Sequence, residues 1–273
     1  MKKISKITKQ KKNQQRYNVF YEKQGQDEFA FGIHEDLLVR FGLRKGLELS
    51  SEEVQNIEQQ DAMYRYYTLT LNYLSYRMRA KSEIIEYLQK KEATEQDIAY
   101  VIERLQAEKL LDDVAFAEAY VRTKMNTSTN GPNKIRQELY QKKLTEQEVE
   151  QGLSHYTKEI EIDKLVKLID KKVNASRKKS FKEHLNSLKQ SLIQKGFTHD
   201  AIEIALQSIE LSVDEDEEYE ALKYQGEKAW RKFERKHEGF QLQQKVKASL
   251  FQKAFPAELI EQFINEKSME EEV

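Results

Sequence analysis

One phrase recurs four times along this chain, and it limits the possible folds more than any other feature. It reads Leu88-Gln-Lys-Lys91-Glu92-Ala93-Thr94 with Ile98, then Leu139-Tyr-Gln-Lys142-Lys143-Leu144-Thr145 with Val149. It returns as Leu192-Ile-Gln-Lys195-Gly196-Phe197-Thr198 with Ile202, and as Leu250-Phe-Gln-Lys253-Ala254-Phe255-Pro256 with Ile260. Ile84, Ile135, Leu188 and Val246 stand four residues before the leading leucines; Ile102, Leu153, Leu206 and Ile264 stand four after the final Ile or Val. Apolar residues four apart on both sides of a short polar break describe two amphipathic helices joined by a tight turn. Four copies mean one supersecondary unit repeated in tandem.

The composition agrees. With 273 residues, only 9 Gly and 2 Pro, and 34% charged residues, the chain is helix-rich. A mean hydropathy of −0.83 implies thin cores and much wetted surface. The absence of cysteine excludes disulfides, thiolate metal sites and a cysteine nucleophile, and fits a reducing compartment. No apolar run approaches the roughly 20 residues that cross a bilayer, so a soluble, cytoplasmic chain without membrane contact is expected, an extended monomer by default.

Residues 1–60 differ from the rest. Tyr17–Tyr21 and Glu28–Ile33 are β-rich runs around Gly25, a hairpin pattern. Leu37, Leu38 and Phe41 then have helical spacing that Gly42 stops, and a second short helix opens at Ser50/Ser51. From Ala62 onward the pattern is helical only, three helices per repeat. The first helices are expected at 63–76, 112–125, 160–173 and 219–233, and the third at Thr94, Thr145, Thr198 and Pro256. The architecture expected is mainly α: tandem three-helix bundles forming an elongated curved rod (61–110, 111–156, 157–211, 212–273) behind a small N-terminal β-hairpin and helix segment. The turn between second and third helices favours a left-handed glycine. Only Gly196 supplies it; Glu92, Lys143 and Ala254 imply turns that are either strained or closed differently.

Net charge is −1, but charge is unevenly spread: 1–16 is basic, while 210–220 and the last residues are acidic. A basic patch falls between the first and second helix of each repeat. These patches are Arg77, Arg79 and Lys81; Arg122, Lys124, Lys134 and Arg136; Arg177, Lys178, Lys179 and Lys182; and Arg231, Lys232, Arg235 and Lys236. If the units stack regularly, these turns form a discontinuous stripe able to follow a polyanion; the simpler account is dipole compensation at helix ends. The latter also accounts for the repeated Lys91, Lys142, Lys195 and Lys253. Tyr64, Tyr66, Tyr67, Tyr73, Tyr76 and Trp230 could stack on bases, although their helical spacing suits packing better. The five histidines lack metal-ligand spacing, and no phosphate-binding loop or nucleophile elbow occurs. No metal, cofactor or catalysis is expected.

Asn72-Tyr-Leu-Ser-Tyr-Arg77-Met-Arg79-Ala-Lys-Ser82-Glu83-Ile84, Leu110-Leu-Asp112-Asp113-Val-Ala-Phe116-Ala117 through Val121, and Gly131-Pro132-Asn-Lys134-Ile135 occur in order. This run resembles the RecX family, strongly over residues 62–150 and more weakly in the third repeat; the fourth repeat and the hairpin resemble its longer members. The resemblance implies a modulator of the RecA recombinase that binds the RecA–DNA filament groove and restrains filament growth, ATPase and strand exchange in DNA repair, recombination and the SOS response. RecA filaments and single- or double-stranded DNA are the implied partners. Filament or DNA contact is carried over by motif to Arg77, Arg79, Arg122, Lys134 and Arg136, while Asp112 and Asp113 open the next helix. The competing readings are a general nucleic-acid-binding helical repeat and a protein-only helical scaffold.

Overall fold

The computed structural model describes residues 1–11, 13–173, 178–209 and 214–271. The chain divides into two compact units, 1–116 with 142–148, and 117–141 with 149–273.

The first unit opens with an antiparallel sheet of β1 (Lys2–Lys9), β2 (Arg16–Lys23), β3 (Gln26–His34) and β4 (Glu48–Leu49), in the order β3-β2-β1-β4. The expected hairpin is β2–β3, turning at Gln24 and Gly25, both at positive φ, as a two-residue turn that follows strand twist requires. β1 was not expected. Its two core residues, Ile4 and Ile7, are three apart because the register shifts at Ser5, and this bulge hides the two-residue alternation of a strand. The basic N-terminal stretch is therefore an interior strand. Ile4, Val19, Tyr21, Phe31 and Ile33 of the sheet pack with Leu37 of α1 (Glu35–Arg40) and Ile57 of α2 (Ser51–Leu74).

Helix α2 begins where Ser50 predicts, with a capping box: the Ser50 hydroxyl accepts from the Glu53 amide (3.1 Å) and the Ser50 amide donates to the Glu53 carboxylate (2.7 Å). The two separate helices expected here, one opening at Ser50/Ser51 and one over 63–76, are a single helix of 24 residues. No Gly or Pro interrupts this stretch, so nothing breaks the helix. The buried Asp61 carboxylate ties its middle to the sheet, accepting from the His34 amide (2.8 Å) and from Arg16 Nη2 (2.5 Å). The first repeat is completed by α3 (Lys81–Gln89) and α4 (Glu95–Ala107), whose Ile84, Leu88, Val101, Ile102 and Leu105 are buried with Tyr66 and Tyr67 of α2.

The second repeat consists of α5 (Asp113–Thr127), α6 (Pro132–Gln141) and α7 (Glu146–Leu153). The third is α8 (Lys158–Val173), α9 (Phe181–Gln194) and α10 (His199–Gln207); the fourth is α11 (Glu215–Phe233), α12 (Gly239–Gln252) and α13 (Ala257–Glu271). The third repeat has its own apolar core around Leu188, Leu192, Phe197 and Ile202. That of the fourth lies around Trp230, Val246, Leu250, Phe255 and Ile260. All of the repeated Leu and Ile/Val positions are buried except Ile98, which is half-buried. Of the two options for the turns, the left-handed one holds: φ is +61° at Glu92, +62° at Lys143, +60° at Ala254 and +84° at Gly196. Amides of Ala93, Phe197 and Phe255 return to the carbonyls of Leu88, Leu192 and Leu250, which closes each helix end with a 6→1 bond. Three non-glycine residues thus carry left-handed strain of about 1–2 kcal/mol each.

Candidate interface at the basic turns

Each basic turn follows a first helix and opens a second, so its cations are held at helix ends. In the first repeat the Glu83 carboxylate accepts the Ala80 amide (3.1 Å), pairs with Arg77 Nη2 (2.8 Å) and lies 3.3 Å from Lys142 Nζ. Partial burial pushes its pKa up, but hydrogen bonds from Arg77 and the Ala80 amide, with the charges of Lys142 and Arg77, bring it below the ordinary value. Arg79 lies over the Tyr73 ring at 4.0 Å, and Tyr73 stacks on Tyr87 with ring centroids 4.2 Å apart. Arg79 Nε is buried without a hydrogen-bond partner among the described residues. Lys81 is exposed at the first position of α3 and pairs with no carboxylate among the described residues.

In the second repeat Lys124 pairs with Glu138 at 2.8 Å, and Tyr120 donates to the same carboxylate at 2.7 Å. The hydrogen bond that Lys124 donates to the Glu138 carboxylate raises the Lys124 pKa against the opposing effect of burial. Arg136 forks onto Glu150 and also donates to Asn133 Oδ1 at 3.0 Å. Arg122 and Lys134 stay exposed and unpaired among the described residues. In the third repeat Arg177 lies outside the described residues. Lys179 pairs with Glu183 (3.1 Å), Lys178 Nζ is 4.9 Å from the Tyr224 ring centroid, and Lys182 is exposed in the first turn of α9. Arg231, Lys232, Arg235 and Lys236 of the fourth repeat are all exposed.

The turns therefore hold two kinds of cation. Arg79, Lys124 and Arg136 are engaged by rings or carboxylates of their own unit, whereas Lys81, Arg122, Lys134 and Lys182 offer their charge to solvent. Charge and spacing alone group these cations together, because neither reveals a partner. Among the tyrosines, Tyr66 and Tyr67 are buried and Tyr64 and Tyr73 half-buried, but Tyr76 is 84% exposed beside Arg77. Phe240, beyond the basic turn of the fourth repeat, is 73% exposed. Trp230 is core, edge-to-face with Phe263.

The repeated lysine has a further role that its sequence position did not show: its backbone carbonyl receives a bond from the start of the preceding repeat's second helix. Ser82 Oγ donates to Lys142 O (2.5 Å), the Gly131 amide to Lys195 O (2.8 Å) and Ser180 Oγ to Lys253 O (2.5 Å). At the middle joint the backbones almost touch, since a Cβ on Gly131 would lie 2.5 Å from Phe197 N. The carbonyl of Lys91, in the first repeat, lies 3.4 Å from the Tyr66 hydroxyl of α2. Asp113 adds a carboxylate to one such joint, accepting the Lys81 amide at 2.8 Å.

Among the described residues no three His, Asp or Glu side chains converge as metal ligands, and no helix is long and apolar enough to cross a membrane. Fold and turns together define a tandem three-helix-repeat protein with an N-terminal sheet and basic inter-helix turns. Family models match four stretches: the regulatory protein RecX N-terminal domain over 2–50, and the first, second and third RecX three-helix domains over 67–105, 112–153 and 215–264. The third-domain model falls on the fourth repeat in chain order. Regulatory protein RecX of Oceanobacillus iheyensis is 42% identical over 99% of this chain and 100% of its own length. That of Halalkalibacterium halodurans is 40% identical over 96% and 99%. A crystal structure of regulatory protein RecX aligns with a TM-score of 0.68 at 33% identity, covering 76% of this chain and all of the other. RecX from Lactobacillus salivarius aligns with 0.53 at 35% identity, over 56% and 99%. The chain belongs to the RecX family of regulatory proteins.

Proposed function

We propose that this chain is a regulator, mainly an inhibitor, of the RecA recombinase, acting in the cytoplasm on RecA–DNA filaments in DNA repair. The observation that carries the reading beyond family membership is the set Lys81, Arg122, Lys134 and Lys182: exposed cations of the basic patches that form no ion pair among the described residues, although Asp113 and Glu138 lie near enough to feel the charges of Lys81 and Lys134. Such charges bind a phosphate backbone or an acidic protein surface by releasing counterions. Tandem modules, each contributing a weak contact, bind together far more tightly than any one alone. A binder attached to several filament protomers at once blocks subunit addition and substrate access without chemistry of its own.

The test is RecA ATPase on single-stranded DNA with the chain added well below RecA stoichiometry. Turnover is expected to fall, because one bound molecule arrests growth of many protomers. Unchanged turnover and filament length would overturn the regulator reading in favour of a nucleic-acid binder or a protein scaffold that acts without the recombinase.

A further inference from the structure

The solvent face of the N-terminal sheet has no part in the basic turns. One face buries Ile4, Val19, Tyr21, Phe31 and Ile33 against α1 and α2. Alternation along an antiparallel strand predicts polar side chains on the other. Two phenylalanines stand there instead. Phe20 and Phe29 are register partners whose rings meet edge-to-face, with centroids 5.9 Å apart at 80°. Phe20 is half-buried and Phe29 is 57% exposed. Lys6 lies directly opposite Phe20 on β1, so Lys6, Phe20 and Phe29 form one row across three strands. The next row is polar and low: Thr8, Asn18 and Gly32, with Gln10 Nε2 donating to Asn18 Oδ1 at 2.8 Å.

Charge indicates what this row meets. From Met1 to Tyr21 the sequence contains no Asp or Glu. Lys2, Lys3, Lys6, Lys9 and Lys11 form no ion pair among the described residues, and because β1 is an interior strand most of these charges project from a fixed frame. An anionic partner would neutralise these charges, and the exposed Phe29 ring with the half-buried Phe20 ring beside it suits planar apolar groups on that partner. Unpaired nucleotides have both, a phosphate and a base face. The amide and hydroxyl groups of the adjacent row suit the hydrogen-bonding edges of bases.

We propose that the Lys6–Phe20–Phe29 row is a stacking platform for single-stranded nucleic acid, separate from the basic turns and independent of any recombinase. Bases stack on Phe29 and Phe20, and Lys6 and its neighbours neutralise the backbone. The test uses the full-length chain, a labelled 20-nucleotide oligo(dT) and a duplex of equal length, with binding read by fluorescence anisotropy. Phe29→Ala is expected to weaken oligo(dT) binding about tenfold, with an unchanged salt slope and unchanged duplex affinity. Lys6→Ala should lower the salt slope by about 0.7. Phe29→Trp should retain affinity, its added fluorescence quenched by the oligonucleotide. Native-like oligo(dT) binding by Phe29→Ala, or equal losses on strand and duplex, would overturn the proposal. So would loss of RecA inhibition with oligo(dT) binding intact, which would assign the face to a protein. The binding arm contains no RecA, so it can fail while the regulator reading stands, and the reverse.

Discussion

Gly196 and Ala254 occupy the same position of the repeated phrase, with φ of +84° and +60°, yet a methyl group has opposite consequences at the two. At Gly196 a Cβ would lie 2.2 Å from the Lys134 amide nitrogen, which is backbone and cannot swing aside. Gly196→Ala therefore combines left-handed strain with overpacking and should cost about 3 kcal/mol. Ala254 already bears the strain, so Ala254→Gly should stabilise by about 0.5–1 kcal/mol after the entropy of the unfolded glycine is counted. Thermal unfolding should show shifts of opposite sign; equal or same-sign shifts would contradict the assignment. The sequence shows that three of four turns lack glycine, but not why the third keeps it. That reason is the approach of Gly131 and Lys134 from 60 or more positions earlier, a contact that no local pattern encodes. Partner choice is hidden in the same way: Arg122 and Lys124 are two residues apart, and only Lys124 has Glu138 in reach.

Helix N-termini and apolar faces were the most legible elements, because capping and periodicity are local. Ser50, Thr94 and Thr198 are N-caps, and Thr94 forms its capping box with Asp97. Strand β1 was illegible because of a single bulge, and the merged α2 because the pattern shift near Asp61 resembles a break while no breaking residue is present. At the opening of α3, Glu83 joins the Ala80 amide, Arg77 and Lys142. Its pKa lies below 4.5 in the folded chain, because those hydrogen bonds and charges outweigh burial. A carboxylate depressed by folding contributes stability that is present above its unfolded pKa and is lost as pH falls through the folded value. Glu83→Gln should cost about 1–2 kcal/mol at neutral pH and flatten the loss of stability below pH 4.5. Chemical denaturation at pH 7 and at several acid pH values checks this, and parallel profiles for both proteins would exclude Glu83 as a contributor.

At the scale of the whole molecule, one joint recurs three times: a hydroxyl or amide at the start of one second helix donates to the carbonyl of the repeated lysine in the next repeat. The repeated phrase thus serves both as packing within a repeat and as the socket for its neighbour, and the turns between first and second helices supply the donors to that socket while keeping Lys81, Arg122, Lys134 and Lys182 exposed. The central claim is that the unpaired cations of those turns engage the filament. The measurement is RecA ATPase on single-stranded DNA with the Lys81→Glu, Arg122→Glu, Lys134→Glu, Lys182→Glu quadruple variant, compared with the native chain at equal helicity by circular dichroism. All four side chains are exposed, so the fold should survive. The account predicts that inhibition is lost or needs far more protein; inhibition undiminished by the four reversals would contradict it.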